Sequence, residues 1–505
     1  MRTRHRESRG WFGIPLLALP SIAWLAIPPL VFGVSLFDYV PGFDNDEIHY
    51  WHEILTFSEV GFSGGYYTVD ELPAPAAFSP FGTEGPAFAF LYGSLAKVFG
   101  WHPFSPAFYN AVLVFFCLAG MSLLARSPSP ASALIAVLTA TYWPLAIVAP
   151  TIMQEPLHNA AAILLAGVFY RFVRNDRSSG GSRWLGGLTI AVMSTVRCTW
   201  SAFSAPFLLL ALPWSRMRAI VWSLVFVSLA FLVASWWASP YPRYTLWPDL
   251  MSGHRWVHRW LLWNGSNFFR LVDEPYGAEA ATLGLMLRCQ MAAIVIYAGW
   301  RLSMAVRNED RVERAIMALI LFSLLHIVLA QILFYSVDNF HDYRVFGPYL
   351  LFVLILLILF ERFGVVALVI ASNLLAAPTF LEAYAVRNIE GVDYVRRGPM
   401  SKNVPASLGD FEKAVRGALV YRPDSNRWCN TLLTRTYRSQ LIAVPAGIGL
   451  SALLDAEELS LPPKSKYILL ADNDPLLRSS DLRLERLAHT PEGTLHYNPD
   501  SGCPR

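Results

Sequence analysis

Apolar residues run along this chain in long unbroken stretches, not in the short alternating or one-sided patterns of a water-soluble domain. Eleven such stretches occur, at 11–37, 105–125, 131–150, 157–173, 184–196, 200–214, 219–239, 281–300, 315–335, 346–360 and 364–384. Most approach the roughly 20 residues a helix needs to cross about 30 Å of hydrocarbon. Those interrupted by proline are tolerated where neighbouring helices re-satisfy the backbone. The pattern predicts an α-helical polytopic membrane protein with about eleven spans. The first stretch is about twice a signal-peptide core in length and lacks an obvious small-residue cleavage site, so it reads as a retained span.

Charge in the connecting loops alternates. Arg2, Arg4, Arg6 and Arg9, then Arg174, Arg177 and Arg183, then Arg216 and Arg218, then Arg301, Arg307, Arg311 and Arg314 fall on one side. The positive-inside rule makes that side cytoplasmic. Loops 38–104, 240–280 and 336–345 then face outward, and an odd number of spans sends the tail 385–505 there as well. The tail differs in kind, with turn residues, ordinary charge and short apolar runs such as Tyr467-Ile468-Leu469-Leu470 that predict strands. The expected organisation is a membrane module over 1–384 and a small soluble α/β domain over 385–505, in a bacterial inner membrane with the N-terminus cytoplasmic.

Composition agrees with lipid. The chain is 54% hydrophobic and 15% charged, with a mean hydropathy of +0.39, a poor recipe for soluble domains. A net charge of +3 offers no basis for a nucleic-acid partner. Cys117, Cys198 and Cys289 lie in or beside spans, where cysteine acts as a small hydrophobe. Cys429 and Cys503 both belong to the tail, where an oxidising compartment would allow them to pair.

One charge feature is left over. Residues 11–96 contain no Lys or Arg, yet Asp38, Asp44, Asp46, Glu47, Glu53, Glu59, Asp70, Glu71 and Glu84 all fall in the first outer loop. Acids contribute little to orientation, so topology does not explain them. Part of the stretch FDNDEIHYWHE is a helix start: Asp44 fits an N-cap, Glu47 completes a capping box, and Phe43 with Ile48 makes a hydrophobic staple. Asp46 remains, with Tyr50 and Glu53 following on the same helical face.

In this setting, Asp46-Glu47-Ile48-His49-Tyr50 resembles the D-E-x-x-Y-like element in the first outer loop of the GT-C superfamily of glycosyltransferases that use polyprenyl-phosphate sugars. The likeness is greatest to the lipid A aminoarabinose transferases and the protein O-mannosyltransferases. EGPAFAFLYGSLAKVFG at 84–100 resembles the family's E-K-P-P-L element and its half-helix ending in F-G, with Gly85 in place of the lysine associated with lipid phosphate. PTIMQEPLHN puts Glu155 where relatives hold an acid, and STVRCTW puts Arg197 where relatives carry a basic residue. The resemblance covers about 1–384 and implies a sugar donor on a polyprenyl phosphate and a glycan, lipid or protein acceptor.

The chemistry such a transfer needs is a base, cationic help for the departing phosphate, and access from lipid. Asp46 is the expected general base, with Glu47 beside it in the catalytic pair and Tyr50 in the substrate site. Arg197, and Arg344 in NFHDYRVFGP, are the expected phosphate-binding cations, and His341 and Tyr343 travel with Arg344. The bland alternative for either arginine is snorkelling, or pairing with Asp342 or an acid of the first loop. The loop segment GHRWVHRWLLWNG reads as an interfacial helix anchored in membrane lipids. A sharper reading lets His254 or His258 meet Glu84 or Glu155 around a divalent metal ion. No Walker loop, dinucleotide fingerprint, HExxH or CxxC occurs, so no nucleotide cofactor is expected. Two rivals stay open: an O-antigen ligase or polymerase, whose large loop lies later in the chain, and a transporter or flippase.

Overall fold

A computed structural model describes residues 13–36, 50, 53–54, 57–58, 61, 66–69, 77–79, 85–102, 104–174, 180–238, 278–334, 343–389, 432–435, 442–445, 467–470, 477, 483–490 and 493–501. A 3-10 turn at Pro15–Ala18 leads into α1 (Leu19–Val31). Then come α2 (Pro86–Phe99), α3 (Ser105–Ala125), α4 (Ser129–Thr141), the one-turn α5 (Trp143–Ala146), α6 (Glu155–Val173) and α7 (Gly180–Val196). A 3-10 segment, Cys198–Phe203, joins α7 to α8 (Ser204–Ala211). The chain continues through α9 (Arg216–Ala238), α10 (Ala278–Arg307), α11 (Arg311–Phe334), α12 (Tyr343–Leu359), α13 (Phe363–Leu375) and α14 (Ala377–Asn388).

Every predicted apolar stretch holds a helix, but fewer than eleven are full-length spans. Five described helices, α3, α6, α9, α10 and α11, are long and apolar enough to cross a membrane, and α13 with α14, bent by 55°, makes a sixth. Proline and glycine account for much of the difference. Stretch 11–37 yields the 3-10 turn and α1, which ends where Pro28 and Pro29 enter its last turn and Gly33 follows at φ 66°. Stretch 131–150 breaks at Tyr142, whose ψ of 88° leaves the helical region just ahead of Trp143-Pro144. Conversely α2 is bounded as its sequence asks, with proline at its first turn and Gly100 past its end.

Burial sorts the helices. From Val345 to Leu359 every side chain of α12 is buried, so a segment apolar all round becomes the axis of the bundle. Within α9 the same composition faces outward, exposing Trp222, Leu224, Leu232 and Trp236 where lipid would cover them. Ionic groups mark both ends of the axis. Arg344 lies in the first turn of α12 and Arg362 just beyond its last. Glu313, in the first turn of α11, is clamped by Arg301 of α10 at 2.7 Å and by Arg362. Asp310 caps the same turn by accepting the Glu313 N–H at 3.0 Å. A helix of 17 residues is about 26 Å long, close to the hydrocarbon thickness of a bilayer. With five helices long and apolar enough to cross a membrane, the protein is built as an integral membrane protein.

Outside the bundle lies a mixed sheet of β1 (Tyr66–Val69), β2 (Ala77–Ser79), β3 (Leu432–Arg435), β4 (Ile442–Pro445), β5 (Tyr467–Leu470), β6 (Glu485–Thr490) and β7 (Gly493–Tyr497). The strand order is β2-β1-β4-β3-β5-β7-β6, and only β3 and β5 pair in parallel among these neighbours. The sheet draws on two distant parts of the chain. β1 and β2 come from loop 38–104, and β1 pairs with β4 of the tail in the register Tyr67↔Val444. The Tyr467–Leu470 run is a strand as its composition predicts.

Candidate active site

The site is assembled where α2, α3, α6, α7 and α12 meet. Irregular backbone runs from Ile147 to Gln154 between α5 and α6, and its carbonyls need partners because water is scarce there. Asn110 of α3 supplies two of them, donating its side-chain amide to the carbonyls of Ala149 at 2.9 Å and Thr151 at 2.8 Å. Its own carbonyl oxygen accepts the Tyr92 hydroxyl of α2 at 2.6 Å. Asn388, at the end of α14, donates to the Ile147 carbonyl at 3.0 Å. These bonds hold the turn that delivers Glu155, the first residue of α6, where Pro156 also fixes the helix start.

Arg197 occupies the break between α7 and the 3-10 segment, in extended conformation at φ −147° and ψ 109°. Its Nη2 lies 3.2 Å from Glu155 Oε1, and Nη1 lies 3.4 Å from the Arg344 carbonyl oxygen. Arg197 is only 13% exposed and Glu155 4%. The pair is thus largely withdrawn from water. Just below it, Trp200 donates its indole N–H to His158 Nδ1 at 2.9 Å, and Thr199 shares a hydrogen bond with the Tyr349 hydroxyl at 2.8 Å. Trp200, Phe203 and Tyr349 then pack ring on ring around this segment.

Of the residues expected from sequence, Arg197, Glu155 and the Arg344 backbone come together. Tyr343 instead packs its ring on Trp143 at 4.8 Å, and Tyr50 packs on Phe88 of α2 at 5.0 Å. Asp46, Glu47, Glu84, His258 and His341 lie outside the described residues, as do Cys429 and Cys503. Glu155, the described member of the expected metal set, has its Oε1 paired with Arg197. Among the described residues no group of three His, Cys, Asp or Glu is placed to hold a metal ion. Gly85 stands at φ 72°, and a Cβ there would lie 2.3 Å from Trp237 Cε3. The lysine that the resemblance leads one to expect has no room at this position.

Sequence reading passed over Gln154, His158 and Asn159, although all three stand in PTIMQEPLHN beside Glu155. Their signal was spacing: Gln154 and His158, like Glu155 and Asn159, are four residues apart at the head of an apolar helix. All four side chains are buried.

Fold and site together define a helical integral membrane protein with a buried cation held at one end of its core. No family model matches the chain, and no curated protein matches it. Among solved structures, the crystal structure of the Archaeoglobus fulgidus oligosaccharyltransferase in its apo form is similar over 84% of this chain and 62% of that one, at 13% identity and a TM-score of 0.42. This chain therefore spans less than two thirds of that chain's length. At such a score the likeness is too loose to assign residues or chemistry.

Proposed function

We propose that this protein is a membrane glycosyltransferase that moves a sugar from a polyprenyl phosphate to an acceptor hydroxyl on a glycolipid, polysaccharide or protein at the outer face of the membrane. The observation that carries the reading is Arg197, fixed at the end of the bundle by Glu155 and the Arg344 carbonyl. An ionisable group at membrane depth is costly and marks function by default, and a guanidinium suits phosphate oxygens.

The reaction is a single displacement. Asp46 takes the proton of the acceptor hydroxyl as that oxygen attacks the anomeric carbon from the face opposite the phosphate. A carbon–oxygen bond forms to the acceptor, and the bond from the anomeric carbon to the phosphate oxygen breaks. The configuration inverts. Polyprenyl phosphate departs as a dianion that needs no proton but gains from positive charge at Arg197 and Arg344.

The test is sugar transfer by the full chain reconstituted in lipid with a radiolabelled polyprenyl-phosphate sugar and a candidate acceptor. Asp46→Asn should bind donor and lose turnover by at least about a hundredfold, and Arg197→Gln should weaken both donor binding and turnover. Movement of the labelled lipid across the bilayer without any transfer would instead identify a transporter.

A further inference from the structure

The buried axis α12 carries a proline within the helix, Pro348. In a regular helix the N–H of residue 348 donates to the carbonyl four residues back. Proline has no N–H, and its ring crowds that same carbonyl. Four residues before Pro348 stands Arg344, and its carbonyl is the one that accepts Arg197 Nη1 at 3.4 Å. The bond that α12 forgoes is replaced by one from the break after α7. Within a membrane, neighbouring groups re-satisfy backbone freed by proline, and here the neighbour is the guanidinium of the candidate site.

The residues flanking Pro348 are gripped as well. Tyr142 donates its hydroxyl to the Gly347 carbonyl at 2.8 Å, and Pro144 stands so close that a Cβ on Gly347 would lie 3.2 Å from it. Thr199, two residues after Arg197, shares a hydrogen bond with the Tyr349 hydroxyl at 2.8 Å. Tyr142 opens the irregular stretch that leads to Glu155, so both members of the ion pair are referred to the same turn of α12. A carbonyl suits this task. It orients the guanidinium without cancelling its charge, as a second carboxylate would.

We infer that Pro348 is a positioning residue: by withholding an N–H from the Arg344 carbonyl, it leaves that acceptor to Arg197 and so keeps the guanidinium aimed at the phosphate of a lipid-linked donor. The phosphate rests on the transferase reading, whereas the hold on Arg197 does not. The competing role is local, with the proline shaping only its own helix.

Pro348→Val restores the N–H at nearly the same side-chain volume, and Pro348→Ala restores it with a smaller side chain. In either variant α12 closes its own bond on the Arg344 carbonyl and releases Arg197 Nη1. Affinity for a short-chain polyprenyl phosphate, in nanodiscs, and melting temperature, in detergent, are measured on the full chain for wild type, each Pro348 variant, Arg197→Gln and the double variants. The Pro348 variants should bind the phosphate about fivefold more weakly, the size of one hydrogen bond. They should cause no further loss once residue 197 is glutamine. Their melting shifts should likewise be non-additive with that of Arg197→Gln. Should Pro348→Ala fail to fold, Pro348→Val decides, because it keeps the volume. Additive melting shifts, unchanged phosphate affinity, or a loss that persists undiminished with Arg197→Gln would each leave the proline a local role and overturn the inference. Failure of both variants to fold overturns it too, since the proline then serves the helix itself. Non-additive melting in a wild type that binds no phosphate supports the hold on Arg197 and removes the transferase reading.

Discussion

Arg197 and Glu155, separated by 42 positions in sequence, form an ion pair of 3.2 Å at the end of the bundle, where α7 breaks and α6 begins. Removing one member of a buried pair strands the other charge, which costs about 3 kcal/mol or more. Glu155→Gln should therefore lower the detergent-solubilised melting temperature. The double variant Glu155→Gln/Arg197→Gln should lose less than the sum of the single losses. Additive losses would show that the two side chains do not interact in the working protein.

Gly85 sits at a left-handed φ of 72° with Trp237 against it. Gly85→Ala should destabilise the protein by about 2 kcal/mol, combining backbone strain with the clash. Adding Trp237→Ala should recover only the part due to the clash. Gly85→Lys should be worse than Gly85→Ala and should not improve donor binding, despite restoring the residue type that the GT-C resemblance leads one to expect. Thermal unfolding and donor affinity in the same preparations check both statements.

Helices α3 and α6 touch through Gly167, where an added Cβ would lie 3.0 Å from the backbone Cα and carbonyl oxygen of Met121. Backbone cannot yield as a flexible side chain does. Gly167→Ala should push the helices apart and cost about 1–3 kcal/mol. Gly187→Ala, whose Cβ would meet only the tip of the Phe207 ring at 3.5 Å, should be close to neutral in the same assay.

His496 on β7 should give the sheet a pH dependence. Burial, and then the cross-strand Arg486, disfavour its imidazolium and hold its pKa below the ordinary 6.5. Both ring nitrogens are buried without a hydrogen-bond partner among the described residues. The native state then binds this proton less readily than the unfolded state. Stability from the neutral ring is complete above pH 6.5 and is lost as pH falls through the depressed native value. Proteolysis of the sheet should accelerate as pH falls below 6.5, and His496→Leu should flatten that profile. An unchanged profile in the variant would assign the pH dependence to other groups.

The sequence by itself determined where the helices are. Burial of apolar side chains in lipid or core needs no long-range information, and proline and glycine announce their own positions, as at Pro86 and Gly100. The same locality drew attention to Glu155 and Arg197, because a charge is conspicuous at the edge of an apolar run. Tertiary structure decided the rest. Nothing local distinguishes α12, the buried axis, from α9, which is largely exposed, for both are apolar all round and only their neighbours differ. Nor could spacing along the chain reveal that Trp200 fixes the tautomer of His158, or that β1 of the first loop pairs with β4 of the tail. Such contacts join segments whose patterns are independent until folding brings them within hydrogen-bond reach.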